Sequence, residues 1–259
     1  MWAREYIDRL ASRGRHHFTA EEAIATLQGG ASAVRAQLRR LKDRAVLAEP
    51  VRGFLIIIPP EYRHLGCLPA DQFVPQLMAA TNEPYYLALL TAAQRHGAAH
   101  QRPQAVQVMV RKNRAAIECG QVRVEFIARG DLDKMPVTEV NTPRGVIRFS
   151  TPEVTALELV GYPNHSGGLS NVATLLSELA EEIDSENLVA AARLSPISWS
   201  QRLGYLLELV GQNALAEALK PFVAKYARSF TPLRRAAGSA GSRTPTWKLI
   251  VNVEVEPDL

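Results

Sequence analysis

The stretch TAEEAIATLQGGASAVRAQLRRLKDRAVLAEPVRGFLIII, residues 19–58, decides the fold. Thr19 is placed to cap a helix, and Glu22, three residues on, completes a capping box. Ile24 and Leu27 give that helix an apolar edge, and Gly29 and Gly30 break it. Ser32 is placed to cap the next helix, which runs to about Arg44. In it Val34, Leu38 and Leu41 follow i, i+4, i+7 and fall within about 60° of one another, so they mark the buried stripe. Ser32, Ala36, Arg39, Arg40 and Asp43 then point away from the core, with Arg35 and Lys42 on the flank. Val46–Glu49 and Phe54–Ile58 are β-prone runs separated by Pro50, Val51, Arg52 and Gly53, which predicts a hairpin with a basic tip. Upstream, Trp2–Ser12 reads as a further helix with Ile7 and Leu10 at helical spacing and Gly14 after its end. Three helices with a glycine turn, followed by a hairpin, predict a winged helix-turn-helix over residues 1–62.

The charge distribution agrees. Net charge over the 259 residues is +4, and residues 1–58 hold ten Lys/Arg against six Asp/Glu, so the whole excess is N-terminal. Between Ser32 and Arg52 it is carried by Arg35, Arg39, Arg40, Lys42, Arg44 and Arg52, against Asp43 and Glu49. Charged helix faces are common solvated surfaces. A basic face on the second helix of a helix-turn-helix, beside a basic hairpin, instead points to DNA. Small residues near its start let such a helix approach a major groove, where arginine bonds guanine O6 and N7. The candidate DNA-binding residues are Ser32, Arg35, Ala36, Arg39, Arg40, Lys42, Arg44 and Arg52.

Residues 63–259 read as a larger α/β domain, so the chain as a whole is α+β. Pro84 fits the first turn of a helix reaching His96, with Tyr86, Leu87, Leu90 and Ala93 inward. Val106, Val108 and Val110 alternate, as do Val122, Val124 and Phe126, around a turn near Cys119 and Gly120. Val146–Phe149 is another strand, and Ser150–Glu153 is a strong helix start. Helical pattern then continues to Tyr226, broken at Pro163–Gly168, at Ser195–Pro196 and at Gly211–Asn213. Alternation from Trp247 to Val255 predicts a half-exposed final strand after the Gly238–Pro245 segment. The expectation is a small, mainly antiparallel sheet carrying several helices.

Enzymatic chemistry finds little support. His96 and His100 have the i, i+4 spacing of zinc ligands, but Gly97 lies between them and no third ligand is near. PNHSGGLSNV, residues 163–172, lacks the Gly-Lys-Ser/Thr ending of a phosphate loop and reads as a helix start capped by Ser170. Asp131, Asp133 and Lys134 have the wrong spacing for a two-metal nuclease and read as a polar loop. No cofactor, metal or catalytic residue is expected. Two cysteines, Cys67 and Cys119, offer no disulfide framework and read as ordinary thiols of a reducing cytoplasm. MWAREYIDRL carries charges where an export signal needs an apolar core, and no run is long enough for a membrane span.

Four segments behind the N-terminal domain carry a resemblance: EPYYLALLTAAQRHG (83–97), RFSTPEVTALELV (148–160), GGLSNVATLLSELAEE (167–182) and RLGYLLELVG (202–211). In this order they resemble the AbiEi-type antitoxins and autoregulators of type IV toxin-antitoxin, or abortive-infection, operons. The resemblance implies a repressor that binds inverted repeats of double-stranded DNA in its own promoter. It also implies a C-terminal domain that counteracts a nucleotidyltransferase-like toxin, leaving open whether the two proteins touch. A single winged helix makes few phosphate contacts, so tight binding is expected to need paired half-sites, on a dimer or on cooperating monomers. The alternatives are fusion of the winged helix to a nuclease or to a ligand-sensing domain.

Overall fold

The computed structural model describes residues 1–98, 103–142 and 144–258. The chain forms two compact units, each built from several stretches. Met1–Tyr85, Gln104–Gly130 and Glu139–Arg148 make the first; Tyr86–Pro103, Asp131–Thr138 and Phe149–Leu259 make the second. A boundary after residue 62 therefore falls inside the first unit. Residues from Ala3 to Ile57 nevertheless close a hydrophobic core of their own.

That core is organised by α1 (Ala3–Ser12), which turns Ala3, Tyr6, Ile7 and Leu10 inward. Strand β1 (His17–Thr19) follows, and its buried Phe18 meets the Tyr6 ring edge-on at 5.3 Å. Thr19 then starts α2 (Ala20–Thr26) through the expected capping box: Glu22 N–H donates to Thr19 Oγ1 at 3.1 Å, and Thr19 N–H to Glu22 Oε2 at 2.9 Å. The second helix of the pair, α3 (Ala31–Asp43), buries Val34, Leu38 and Leu41 as the spacing predicts. Its cap differs from expectation: Gly30 is the N-cap, with no side-chain bond. Ser32 lies inside the first turn, past the position from which a hydroxyl caps the helix. Strands β2 (Leu47–Val51) and β3 (Phe54–Ile57) form the hairpin, and β1 joins it to give the antiparallel order β1-β3-β2. Pro50 and Val51 belong to β2, so the turn narrows from the expected four residues to Arg52 and Gly53.

Beyond the hairpin come α4 (Val74–Ala80), β4 (Tyr85–Leu87) and α5 (Leu89–Arg95). The single helix expected from Pro84 to His96 is thus a strand followed by a shorter helix. Ala88 is extended and Leu89 adopts φ 53°, which breaks the chain between the two. Leu87 pairs with Phe149, and Tyr86 donates its hydroxyl proton to Glu158 at 2.5 Å.

The next strands are β5 (Val106–Val110), β6 (Ile117–Cys119), β7 (Val122–Ala128), β8 (Val137–Thr142) and β9 (Gly145–Ser150). They correct the expectation of a mainly antiparallel sheet. β5 runs parallel to β7 from Val106↔Val124 to Val110↔Ala128, and β4 is parallel to β9, whereas β6 is antiparallel to β7. Valine alternation specifies two faces of a strand but not its direction. Here β6 takes up the hairpin with β7, which leaves β5 to pair with β7 in parallel.

The second unit is built on α6 (Pro152–Gly161), started by Thr151, whose hydroxyl accepts from Val154 N–H. Every residue of α6 from Glu153 to Val160 is buried. It packs against α5, α7 (Leu169–Leu179), α8 (Ser185–Arg193) and α9 (Ile197–Leu209), and α10 (Asn213–Tyr226) packs on α8 and α9. The N-cap of α7 is Gly168, so Ser170 is not the cap expected. Its hydroxyl instead accepts from Glu256 N–H at 3.2 Å.

The tail makes a small sheet, with β12 (Leu249–Val251) parallel to β10 (Thr231–Pro232) and antiparallel to β11 (Ser242–Thr244). Only these three residues of the alternating run from Trp247 to Val255 pair as a strand. Trp247 is drawn into the helical core: a Cβ added to Gly204 would lie 2.0 Å from its ring, and its Nε1 donates to Glu208 at 2.8 Å. No helix among the described residues is long and apolar enough to cross a membrane.

Candidate nucleic-acid interface

With Val34, Leu38 and Leu41 spent on the core, the opposite side of α3 is left open. Ser32, Arg35, Ala36, Arg39, Arg40 and Arg44 are exposed, as is Arg52 at the hairpin turn. No carboxylate among the described residues lies within ion-pair distance of Arg35, Arg39, Arg40, Arg44 or Arg52. Arg35, Arg39 and Arg52 line a groove of about 770 Å³ together with Lys42, Glu21 and Glu49, and with Leu77 and Ala80 of α4. Arg40, Arg44, Ser32 and Ala36 lie outside that groove. The sequence candidates therefore split into a groove-lining set and an outer set along the same helix.

Lys42 behaves differently. Its ammonium pairs with the Glu49 carboxylate, whose other oxygen accepts the Gly53 N–H at 2.9 Å. Burial raises the Glu49 pKa, but the Gly53 N–H and Lys42 outweigh it and hold the carboxyl below its ordinary value. Glu49 thus ties α3 to the turn that carries Arg52. The charge of Lys42 is largely committed to the fold, and Glu49 is an organising residue the sequence reading passed over. The signal for it was available: an acid four residues before the glycine of a tight turn is placed to accept that glycine's N–H.

Arg15 donates to both Glu22 oxygens at 2.8 and 2.7 Å and so braces the start of α2. His17 stacks on Phe54 with 5.7 Å between centroids. Burial, then the neighbouring Arg15, lowers the His17 pKa, so the ring stays neutral at physiological pH.

The catalytic alternatives gain no geometry. His96 Nε2 lies 2.8 Å from the Ser150 carbonyl, and His100 falls outside the described residues. No group of three or more His, Cys, Asp or Glu that could hold a metal occurs among the described residues. Asp131, Asp133 and Lys134 lie at a single 3-10 turn, Leu132–Lys134. The glycines at 167 and 168 border a cavity of about 250 Å³ with one cationic lining residue, Arg234.

Residues 86–209 match the family model of the AbiEi antitoxin C-terminal domain. That segment is an AbiEi antitoxin C-terminal domain. Three of the four segments singled out in the sequence lie largely or wholly inside the match, and the fourth overlaps its end. Among solved structures, the RV2827C protein of Mycobacterium tuberculosis superposes with a TM-score of 0.68 at 20% identity, over 96% of this chain and 90% of that one. At that identity the likeness shows a shared fold, mixed α and β throughout. An antigenic nucleotidyltransferase-like protein from Paracoccidioides brasiliensis reaches a TM-score of 0.35 at 13% identity, over 58% of this chain and 90% of that one, too little to carry an argument. No curated protein matches. The AbiEi match begins at residue 86, so α1, α2, α3 and the hairpin lie outside it.

Proposed function

We propose that this protein is a cytoplasmic AbiEi-family antitoxin that also represses its own operon, reading inverted repeats in its promoter through an N-terminal winged helix-turn-helix. In this reading α2 and α3 are the helix-turn-helix, α3 enters the major groove and the β2–β3 hairpin is the wing. The observation that carries it is the open face of α3. Five arginines without carboxylate partners line that face and the adjoining turn, on a helix whose other side is fully used by the core. Unpaired guanidinium groups can turn toward phosphates and base edges without breaking an ion pair, whereas paired ones must first give up a partner.

The second part of the reading rests on the family. The AbiEi domain, residues 86–209, counteracts a nucleotidyltransferase-like toxin encoded beside the antitoxin, and the protein has no catalytic activity of its own. Two copies occupy the operator, as a dimer or as cooperating monomers, because one winged helix with so few basic residues binds too weakly alone.

Both parts are tested in one strain carrying the promoter fused to a reporter and the neighbouring toxin gene under separate control. The full chain should silence the reporter and rescue growth. The Arg39→Ala, Arg40→Ala double variant should lose silencing while keeping rescue. Rescue lost together with silencing would break the division of roles. In gel shifts, half of the inverted repeat should bind far more weakly than the whole; equal binding would remove the paired-copy claim.

A further inference from the structure

The chain's two cysteines, far apart in sequence, come together in the first unit. The segment around Gly66 lies antiparallel against the β6–β7 turn: Gln121 N–H donates to the Leu65 carbonyl at 2.7 Å, and Gly66 faces Gly120. Both glycines are needed for this approach. A Cβ on Gly66 would lie 3.1 Å from Gly120 Cα, and one on Gly120 would lie 2.0 Å from the Leu65 oxygen. With residue 65 opposite 121 and 66 opposite 120, Cys67 stands opposite Cys119, near enough for each thiol to shift the other's proton affinity. Directly opposed residues of antiparallel segments lie about 4.5–5.5 Å apart at Cα, inside the range a disulfide accepts.

The second observation is where Cys119 points. β6 packs against β2, which puts the Glu49 backbone close enough to Cys119 to lower its thiol pKa. Glu49 is the residue whose carboxylate holds both Lys42 of α3 and the Gly53 N–H at the hairpin turn. The thiol pair thus adjoins the brace between the candidate reading helix and the turn that carries Arg52.

We propose that Cys67 and Cys119 are a reversible disulfide site, oxidised by hydroperoxides, and that closing it loosens the Glu49 brace and weakens operator binding. The disulfide itself stands independently of the proposed function; its effect on the operator rests on that reading. Cys119 reacts first. It is the more exposed of the two, and the neighbouring Cys67 and Glu49 backbone lower its pKa against the opposing effect of burial, whereas Cys119 and burial push the Cys67 thiol up. The Cys119 thiolate attacks one peroxide oxygen, the O–O bond breaks, and the departing hydroxide takes up the thiol proton as water, leaving a sulfenic acid. Cys67 sulfur then attacks Cys119 sulfur. The S–S bond forms, the S–O bond breaks, and the hydroxyl leaves with the Cys67 proton as a second water. Two thiols lose two electrons and one peroxide gains them; a dithiol reductant reverses the change. Cys119 is 9% exposed and Cys67 0%, which suits a small oxidant rather than a protein thiol.

The test uses the folded full chain, treated with hydrogen peroxide and then with a dithiol. Oxidation should remove two hydrogens from the intact mass and both thiols from alkylation in denaturant. It should also speed hydrogen exchange at the amides of Glu49, Val51, Arg52 and Gly53, and weaken operator binding about tenfold, with the dithiol restoring all of these. Cys67→Ala and Cys119→Ala chains, each lacking one partner, should bind the operator as the reduced chain does and lose no affinity with peroxide. Two thiols still free after peroxide, or a disulfide that leaves exchange at 49–53 unchanged, would overturn the proposal. A reduced chain that ignores the operator would sink the DNA-binding reading instead, while mass and exchange still decide the disulfide.

Discussion

Two helices of this protein show how a sequence divides its surface between holding a fold together and leaving it free to act. In α6 every residue from Glu153 to Val160 is buried, so the helix has no side left for anything else. In α3 only Val34, Leu38 and Leu41 are buried, and the outward positions carry arginines with no carboxylate within ion-pair distance among the described residues. The first helix is scaffold within the AbiEi match; the second lies outside that match and keeps one face unspent. Damage should therefore separate: α6 variants change whether the protein folds, and α3 variants change what it binds.

The largest expected effect tests the scaffold side. Leu157, fully buried, should cost about 2–5 kcal/mol of unfolding free energy when changed to alanine. Below its melting temperature the variant should keep the wild-type ratio of operator to random-DNA affinity. A selective loss on operator would show that α6 contributes to reading after all.

Next comes the open face. Arg39→Ala and Arg40→Ala should each cost about 1–3 kcal/mol on operator, read by fluorescence anisotropy, with melting unchanged. Because Arg39 lines the groove beside the hairpin and Arg40 does not, unequal losses would say which wall of α3 meets base edges.

A smaller effect concerns Glu49. Glu49→Gln should lower stability by about 1 kcal/mol near neutral pH through its weakened bonds to Lys42 and Gly53. The folded pKa lies below the ordinary 4.5, so the stabilisation is present above the unfolded value and is lost as pH falls through the folded one. Melting curves of wild type and variant should therefore differ near pH 7 and converge in acid; a gap that widens in acid would contradict the brace.

Smallest is Arg52→Ala. It should weaken operator and random DNA nearly evenly, by about 1 kcal/mol or less, and make the salt slope about one unit shallower if the guanidinium meets a phosphate. An operator-specific loss would move base reading onto the hairpin.

Much of the first unit's core was legible because it is local. Thr19 and Glu22 form their box over three residues, and the stripe Val34, Leu38, Leu41 needs only the helical period to find its buried side. The helix breaks near Pro163, Pro196 and Gly211 were equally readable, since proline and glycine act on their own backbone. What escaped was settled by partners distant in sequence. β1 has three residues, too few for alternation to show, and exists because Phe18 and its neighbours pair with β3. Tyr85–Leu87 reads as helix until Phe149 supplies a strand for it, and the parallel course of β5 beside β7 leaves no mark on either strand's valines. At the candidate interface, the exposure of Arg35, Arg39, Arg40, Arg44 and Arg52 followed from the helical period and the turn. Lys42 could not be separated from them, because its partner Glu49 arrives only when the hairpin folds back.

The measurement that bears most directly on the account is a titration of operator and scrambled duplexes, at two salt concentrations, with wild type and the Arg39→Ala, Arg40→Ala double variant. The account predicts that the variant melts like wild type and loses affinity mainly on operator, so that its preference over scrambled DNA nearly vanishes at both salts. Equal losses on both duplexes, from a variant that is still folded, would mean that α3 carries charge but reads no sequence.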